Sequence, residues 1–215
     1  MTEIKICGLV SEADALVVNE CAPEYAGMVL FYEKSRRNVS SAQAEKIIAL
    51  LDKKIKKTAV VVSPDIKQIE KIETAGFDYI QVHGNLDDEI LERTKVPVIR
   101  ALNIPEDGIS GDILKELDKM LGNDKIYGVL FDAGTPGSGK TFRWQLIKEL
   151  GENIRKAGKK FFLAGGLNSL NVAAAVSEVF PDVVDVSSGV ENASGPGKDF
   201  KKVDDFIRRV RNMRA

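Results

Sequence analysis

Few side chains in this sequence are suited to acid, base or nucleophilic work, and their places are informative. Of the two cysteines, Cys7 ends a short apolar-flanked segment and precedes Gly8, while Cys21 falls near the end of a helical stretch. Together they form neither a C-x-x-C pair nor a zinc-ligand pattern. As a thiolate Cys7 would be a base or nucleophile; as a thiol it is packing, the usual fate of a free cysteine. Cys21 reads as packing. Asp132 follows the apolar run 127–131, where an unpaired carboxylate is costly to bury. It therefore meets water, a cation or a substrate, or it caps a turn. His83 is the only histidine and cannot build a metal site by itself; it is either an acid–base group or a satisfied polar group of a pocket. Arg37 follows Lys34 and Arg36 and either clamps a carboxylate or phosphate through paired hydrogen bonds or belongs to a solvated face.

Two glycine-containing turns suit anions. Gly165 with Gly166, and Ser187, Ser188 and Gly189, can turn backbone N–H groups toward a phosphate, although the glycine pair is equally suited to a plain tight turn. A third stretch points elsewhere: Gly134, Gly139, Lys140 and Thr141 satisfy G-x-x-x-x-G-K-[ST], the loop of nucleotide triphosphatases. Against that reading, Asp132 and Ala133 separate the apolar run from Gly134, and no second strand supplies a magnesium-binding aspartate. A flexible glycine loop accounts for the match better.

The elements that must position these residues are short β-branched runs alternating with amphipathic stretches. Strands are expected at residues 4–7, 25–31, 58–62, 79–82, 96–101, 126–131, 160–163 and 183–186. Their near-continuous apolar character suits a parallel sheet covered on both faces. Helical stripes lie between them, as in Ala44, Ile47, Ile48 and Leu51, or Val172, Ala175, Val176 and Val179. Ser11 to Asp14 reads as a capping box and Asn168 with Ser169 as the cap of the seventh helix. The lysines at 53, 54, 56 and 57, and at 156, 159 and 160, are placed to complement helix C-termini. Eight β-then-α units without a linker predict one α/β domain over residues 1–215, a (β/α)8 TIM barrel, with a doubly wound open sheet as the competitor.

Composition narrows the partners. Lys and Arg number 31 against 32 Asp and Glu, so the net charge of -1 supplies no field for nucleic acid or an acidic membrane. The N-terminus lacks the apolar core of a signal peptide, and no apolar run reaches the ~18 residues of a membrane span. The expectation is a cytoplasmic protein, with neither nucleic acid nor membrane as partner. Its outer helices are compatible with a monomer or a homodimer. The basic segment 201–214 carries the stripe Val203, Phe206, Ile207 and Val210, which marks an outer barrel helix with a solvated face.

In such a barrel the chemistry belongs to the C-terminal strand ends, and that is where the unusual residues fall. The segments KICG at 5–8, FYEKSRR at 31–37, QVHG at 81–84, FD at 131–132 with GSGKTF at 137–142, LAGGLN at 163–168, and DVSSGVE at 185–191 with GKD at 197–199 resemble the phosphoribosylanthranilate isomerase family of tryptophan biosynthesis. The resemblance spans residues 5–199 and also accounts for the glycine-rich sixth loop.

What it implies is an Amadori rearrangement of N-(5-phosphoribosyl)anthranilate to the aminodeoxyribulose 5-phosphate, with no metal and no organic cofactor. The family's base falls on Cys7 and its acid on Asp132. The arginine for the anthranilate carboxylate falls on Arg37, and the substrate phosphate on Gly165, Gly166, Ser187, Ser188 and Gly189, with His83 as a further substrate-side residue. Three positions depart from the family pattern: Arg36 where proline is common, Ser63 with Pro64 where asparagine is frequent, and Arg143 where aspartate is usual. The rival readings are another phosphosugar isomerase or epimerase, which would not use Cys7 and Asp132, and a phosphate-binding protein without turnover.

Overall fold

The computed structural model describes residues 1–105, 108–133 and 144–214. Among them, eight parallel strands follow one another as β1 (Glu3–Cys7), β2 (Tyr25–Leu30), β3 (Lys56–Val62), β4 (Tyr79–His83), β5 (Val98–Ile104), β6 (Ile126–Ala133), β7 (Lys160–Leu163) and β8 (Val183–Val186). Each pairs with the next, and β1 pairs with both β2 and β8, which closes the sheet into a barrel and excludes the open alternative. A two-residue strand, Asn38–Val39, runs beside the end of β2. Outside lie α1 (Glu12–Cys21), α2 (Ser41–Leu50), α3 (Ile66–Thr74), α4 (Asp88–Arg93), α5 (Gly111–Leu121), α6 (Lys148–Lys156), α7 (Val172–Val179) and α8 (Phe200–Arg211). No helix among the described residues is long and apolar enough to cross a membrane.

Strand positions agree with the sequence reading, and their ends differ where polar residues continue the ladder. β4 takes in His83, and β6 runs two residues beyond Phe131, so Asp132 belongs to the strand that was expected to precede it. β5 starts after Pro97, which has no N–H to give a ladder, and continues to Ile104. The capping box at Ser11 is present, with Asp14 closing it. The seventh helix corrects its expectation: Asn171 holds the cap position, and its side chain instead joins the Gly166 carbonyl and the Asn168 N–H. The lysines before β3 are a second correction, since the last turn of α2 carries no basic residue. Lys156 does lie in the last turn of α6.

The core has two parts. Between strands and helices, the apolar stripes pack into one large cluster that includes Val18, Ile47, Ile72, Val176, Phe206 and Cys21. Inside the barrel, Tyr25, Ile99, Leu130, Phe162 and Val183, with Tyr79 and Tyr127, fill the lower half, their rings meeting mostly edge to face. Side chains of a barrel strand alternate between these two environments. The residues two steps beyond the lower core therefore reach the C-terminal mouth.

Asp14 ties that mouth together. Its carboxylate accepts from the N–H groups of Val10 and Ser11 at the start of α1 and, at 2.6 Å, from the N–H of Lys198 at the far end of the sequence. Asp14→Ala leaves these buried donors without an acceptor, and a loss of about 1–3 kcal/mol is expected. Chemical denaturation checks this; an unchanged midpoint would mean that water replaces the carboxylate.

Candidate active site

The mouth of the barrel encloses a cavity of about 670 Å³. Cys7, Arg37, His83, Asp132, Gly165, Gly166, Ser187 and Ser188 all line it. Eight of the nine residues singled out in the sequence thus converge from six strands. The ninth, Gly189, stands behind the lining, where a Cβ would lie 2.1 Å from the Leu167 carbonyl oxygen. Its lack of a side chain lets the two anion-suited loops pack together. The segment 134–143, with the G-x-x-x-x-G-K-T match and Arg143, lies outside the described residues.

Cys7 is the last residue of β1 and is buried. Burial pushes its thiol above the ordinary value, and Asp185 adds to that, whereas Lys5 and Lys198 pull the other way. Asp132 comes from β6, with β7 and β8 between it and β1, and is 8% exposed. Thiol and carboxyl thus occupy separate walls of one cavity. Cys21 ends α1, inside the outer core, as expected for packing.

Arg37 resolves the choice left by its sequence. Lys34 and Arg36 are exposed, but Arg37 is buried and grips Glu191 with two hydrogen bonds, Nε to Oε1 at 2.5 Å and Nη2 to Oε2 at 3.3 Å. Glu191 also meets Arg36 and, at 3.5 Å, Lys198. Burial by itself would raise this carboxyl, but the hydrogen bond from Arg37 and the three cations hold it below the ordinary range. The Nη1 edge of Arg37 has no hydrogen-bond partner among the described residues.

On the opposite side, Gly165 and Gly166 have φ of 91° and 62°, a left-handed turn that glycine adopts without strain. Their N–H groups find no acceptor among the described residues, so they stand open to an anion. Buried oxygens without a hydrogen-bond partner gather nearby: Ser187 Oγ, Asp185 Oδ1 and Gln81 Oε1, all on residues lining the cavity. Buried polar atoms are normally satisfied, so such a group marks where a polar ligand would sit.

Several residues of the site had not been singled out. Lys5, Gln81, Asn103, Asp185, Glu191 and Lys198 surround the cavity or its wall. The available signal was period two: Lys5, Gln81 and Asp185 each stand two residues before a strand-end candidate and share its inward face. Lys5 and Asp185 also interrupt apolar strands, each between two apolar neighbours. Among the described residues no group of His, Cys, Asp and Glu could hold a metal ion.

The profile of the family described as N-(5′-phosphoribosyl)anthranilate isomerase matches residues 4–209. The chain is 37% identical over 213 residues to the enzyme of that name from Streptococcus gordonii, covering 99% of both chains. It superposes on the phosphoribosyl anthranilate isomerase of Thermotoga maritima with a TM-score of 0.82 and 31% identity, covering 99% of this chain and 100% of that one. A structure of such an isomerase in complex with reduced 1-(o-carboxyphenylamino)-1-deoxyribulose 5-phosphate matches at a TM-score of 0.79 and 29% identity, over 99% of this chain and 100% of that one.

His83 offers a direct check on how dry the cavity wall is. Burial, with the charges of Lys5 and Arg100, lowers its pKa from 6.5 to about 4. A depressed pKa means that folding favours the neutral ring. That contribution is complete above pH 6.5 and is lost as pH falls through about 4. The sole imidazole should thus show no NMR titration near pH 6.5; a midpoint there would mean that water reaches the ring.

Proposed function

The chain belongs to the N-(5′-phosphoribosyl)anthranilate isomerase family, and we infer from its site how it carries out that isomerisation. The substrate is an N-glycoside whose furanose must open before it can rearrange. Asp132, as the acid, protonates the ring oxygen, the C1′–O bond breaks, and C1′ becomes a Schiff base with the anthranilate nitrogen. Cys7, as the base, then takes the C2′ proton and leaves an enolamine, which tautomerises to the aminoketose. Electrons move only within the substrate, and the final tautomerisation places a proton on C1′ and removes one from the 2′-hydroxyl, so the substrate neither gains nor loses protons overall. The chemistry therefore calls for neither metal nor organic cofactor.

The observation that carries this reading is the convergence of a buried thiol and a carboxyl on separate walls of one cavity that is also lined by the open N–H groups of Gly165 and Gly166. The phosphate is assigned to the N–H groups of Gly165 and Gly166 and to the turn of Ser187, Ser188 and Gly189. The anthranilate carboxylate is assigned to Arg37, whose Nη1 edge is left over by Glu191. His83, neutral at physiological pH, is a hydrogen-bonding wall for the substrate and holds no charge against it. On this reading the enzyme is cytoplasmic, binds a small phosphosugar and works as a monomer or homodimer, and its net charge of -1 supplies no field for nucleic acid or an acidic membrane.

Turnover of phosphoribosylanthranilate generated in situ, followed by loss of its fluorescence, tests the assignment. Cys7→Ala and Asp132→Asn should each lower kcat by about two orders of magnitude or more while substrate still binds. Near-normal kcat in either variant removes that residue from the mechanism. Arg37→Ala should act mainly through KM, and unchanged kinetics would leave it a structural partner of Glu191.

A further inference from the structure

Lys5 has no solvent contact and no task in the mechanism above. Its Nζ donates to Asp185 Oδ2 at 2.7 Å, and the two residues are register partners on β1 and β8. A buried ion pair adds little stability beyond that of an apolar pair of the same volume, so stability alone explains it poorly. Lys5 and Cys7 occupy successive inward positions of β1. A Cβ placed on Gly27 of β2 would lie 2.9 Å from Cys7 Sγ and 3.2 Å from Lys5 Nζ. Ammonium and thiol thus converge on one patch of β2 backbone that only glycine leaves open.

A base must be a thiolate, and burial favours the thiol. The charged and titratable groups around Cys7 come from several elements. Lys5 shares its strand, Asp185 comes from β8, and Lys198 from the segment before α8; Arg37, Asp132 and His83 line the same cavity, and Glu191 backs it. Lys198 and Arg37 are committed to Glu191, and Lys198 also donates to the Ser187 carbonyl. Asp185 has the wrong sign, and His83 is neutral. Lys34 and Arg36 also line the cavity but are exposed, so among the described residues Lys5 is the fully buried cation left, with ammonium protons to spare after Asp185.

We propose that Lys5 is a positioning residue of the isomerisation: its ammonium, anchored by Asp185, stands beside Cys7 and stabilises the thiolate that removes the C2′ proton. This rests on Cys7 being the base. Lys5 is the largest influence opposing the burial of Cys7, and Asp185 works in the reverse sense, because its negative charge disfavours a thiolate. The two residues therefore have opposite expected effects on the thiol.

The test titrates the thiolate ultraviolet absorbance of the free enzyme in a Cys21→Ser background, with Cys7→Ala as blank, and compares kcat/KM against pH. Lys5→Met should move the thiol midpoint up and Asp185→Asn should move it down, while circular dichroism reports folding. At neutral pH, kcat/KM of Lys5→Met should fall at least about tenfold and recover as the pH is raised. If Lys5→Met fails to fold around an unpaired Asp185, the double variant Lys5→Met with Asp185→Asn keeps the site neutral, and its midpoint should still lie above that of the parent. Folded variants with unmoved midpoints, or with both single variants shifted the same way, would overturn the proposal and leave the role of Cys7 intact. A thiol that shifts as expected while the kcat/KM profile stays in place would remove Cys7 as the base, and the role of Lys5 with it.

Discussion

Closure of the sheet between β1 and β8 is the constraint from which the mouth inherits its geometry. Lys5 pairs in register with Asp185, and Cys7 with Gly27 on the other side. Once those ladders form, alternate side chains of every strand must point inward, in layers whose heights the register sets. Glu3, Lys5 and Cys7 climb β1 in steps of two. At the bottom, Glu3 meets the Tyr25 hydroxyl and Lys160. In the middle, Lys5 meets Asp185. At the top, Cys7 opens to the cavity. One strand thus passes from core plug to candidate chemistry within five residues.

Above that floor, buried charges are arranged in series. Asp14 holds the N–H of Lys198, whose ammonium reaches both the Ser187 carbonyl and Glu191, and Glu191 grips Arg37. A chain of contacts thus runs from the start of α1 to a guanidinium in the cavity wall. Each ion in it has given up water, and the desolvation cost of such groups is several kcal/mol apiece before pairing. What the chain provides is orientation. Arg37 is held by two bonds at its Nε and Nη2, so its remaining edge is presented to the cavity without freedom to swing. Glu191 is strongly ionised because three cations surround it.

Two of the four non-glycine residues with positive φ among the described residues lie at the same end of the barrel, the other two being the helix caps Ala22 and Phe180. Phe31 and Ser63 have φ of 58° and 46°, and they directly follow β2 and β3. Side chains with a Cβ resist this region at a cost of about 1–3 kcal/mol. Ser63 recovers part of it, since its N–H donates to the His83 carbonyl and its hydroxyl accepts from Asn85. The left-handed turn after β3 therefore fixes the chain beyond β4, where His83 lines the cavity.

Periodicity and strand count were enough to predict eight parallel βα units, and the pairing of β1 with β8 decided the closed barrel against the open sheet. Strand-end position was enough to collect Cys7, Arg37, His83, Asp132, Gly165, Gly166, Ser187 and Ser188 at one mouth. Local chemistry determined the capping box at Ser11 for the same reason: its partner lies three residues away. What stayed hidden depended on partners far off in the sequence. Lys5 read as one charge within an apolar strand, and only closure set it against Asp185, 180 residues later. Arg37 read equally as clamp or surface charge until Glu191, 154 residues on, was brought beside it. Register decides which residues share a layer, burial decides what their charges cost, and both belong to the closed barrel, not to any segment of the chain.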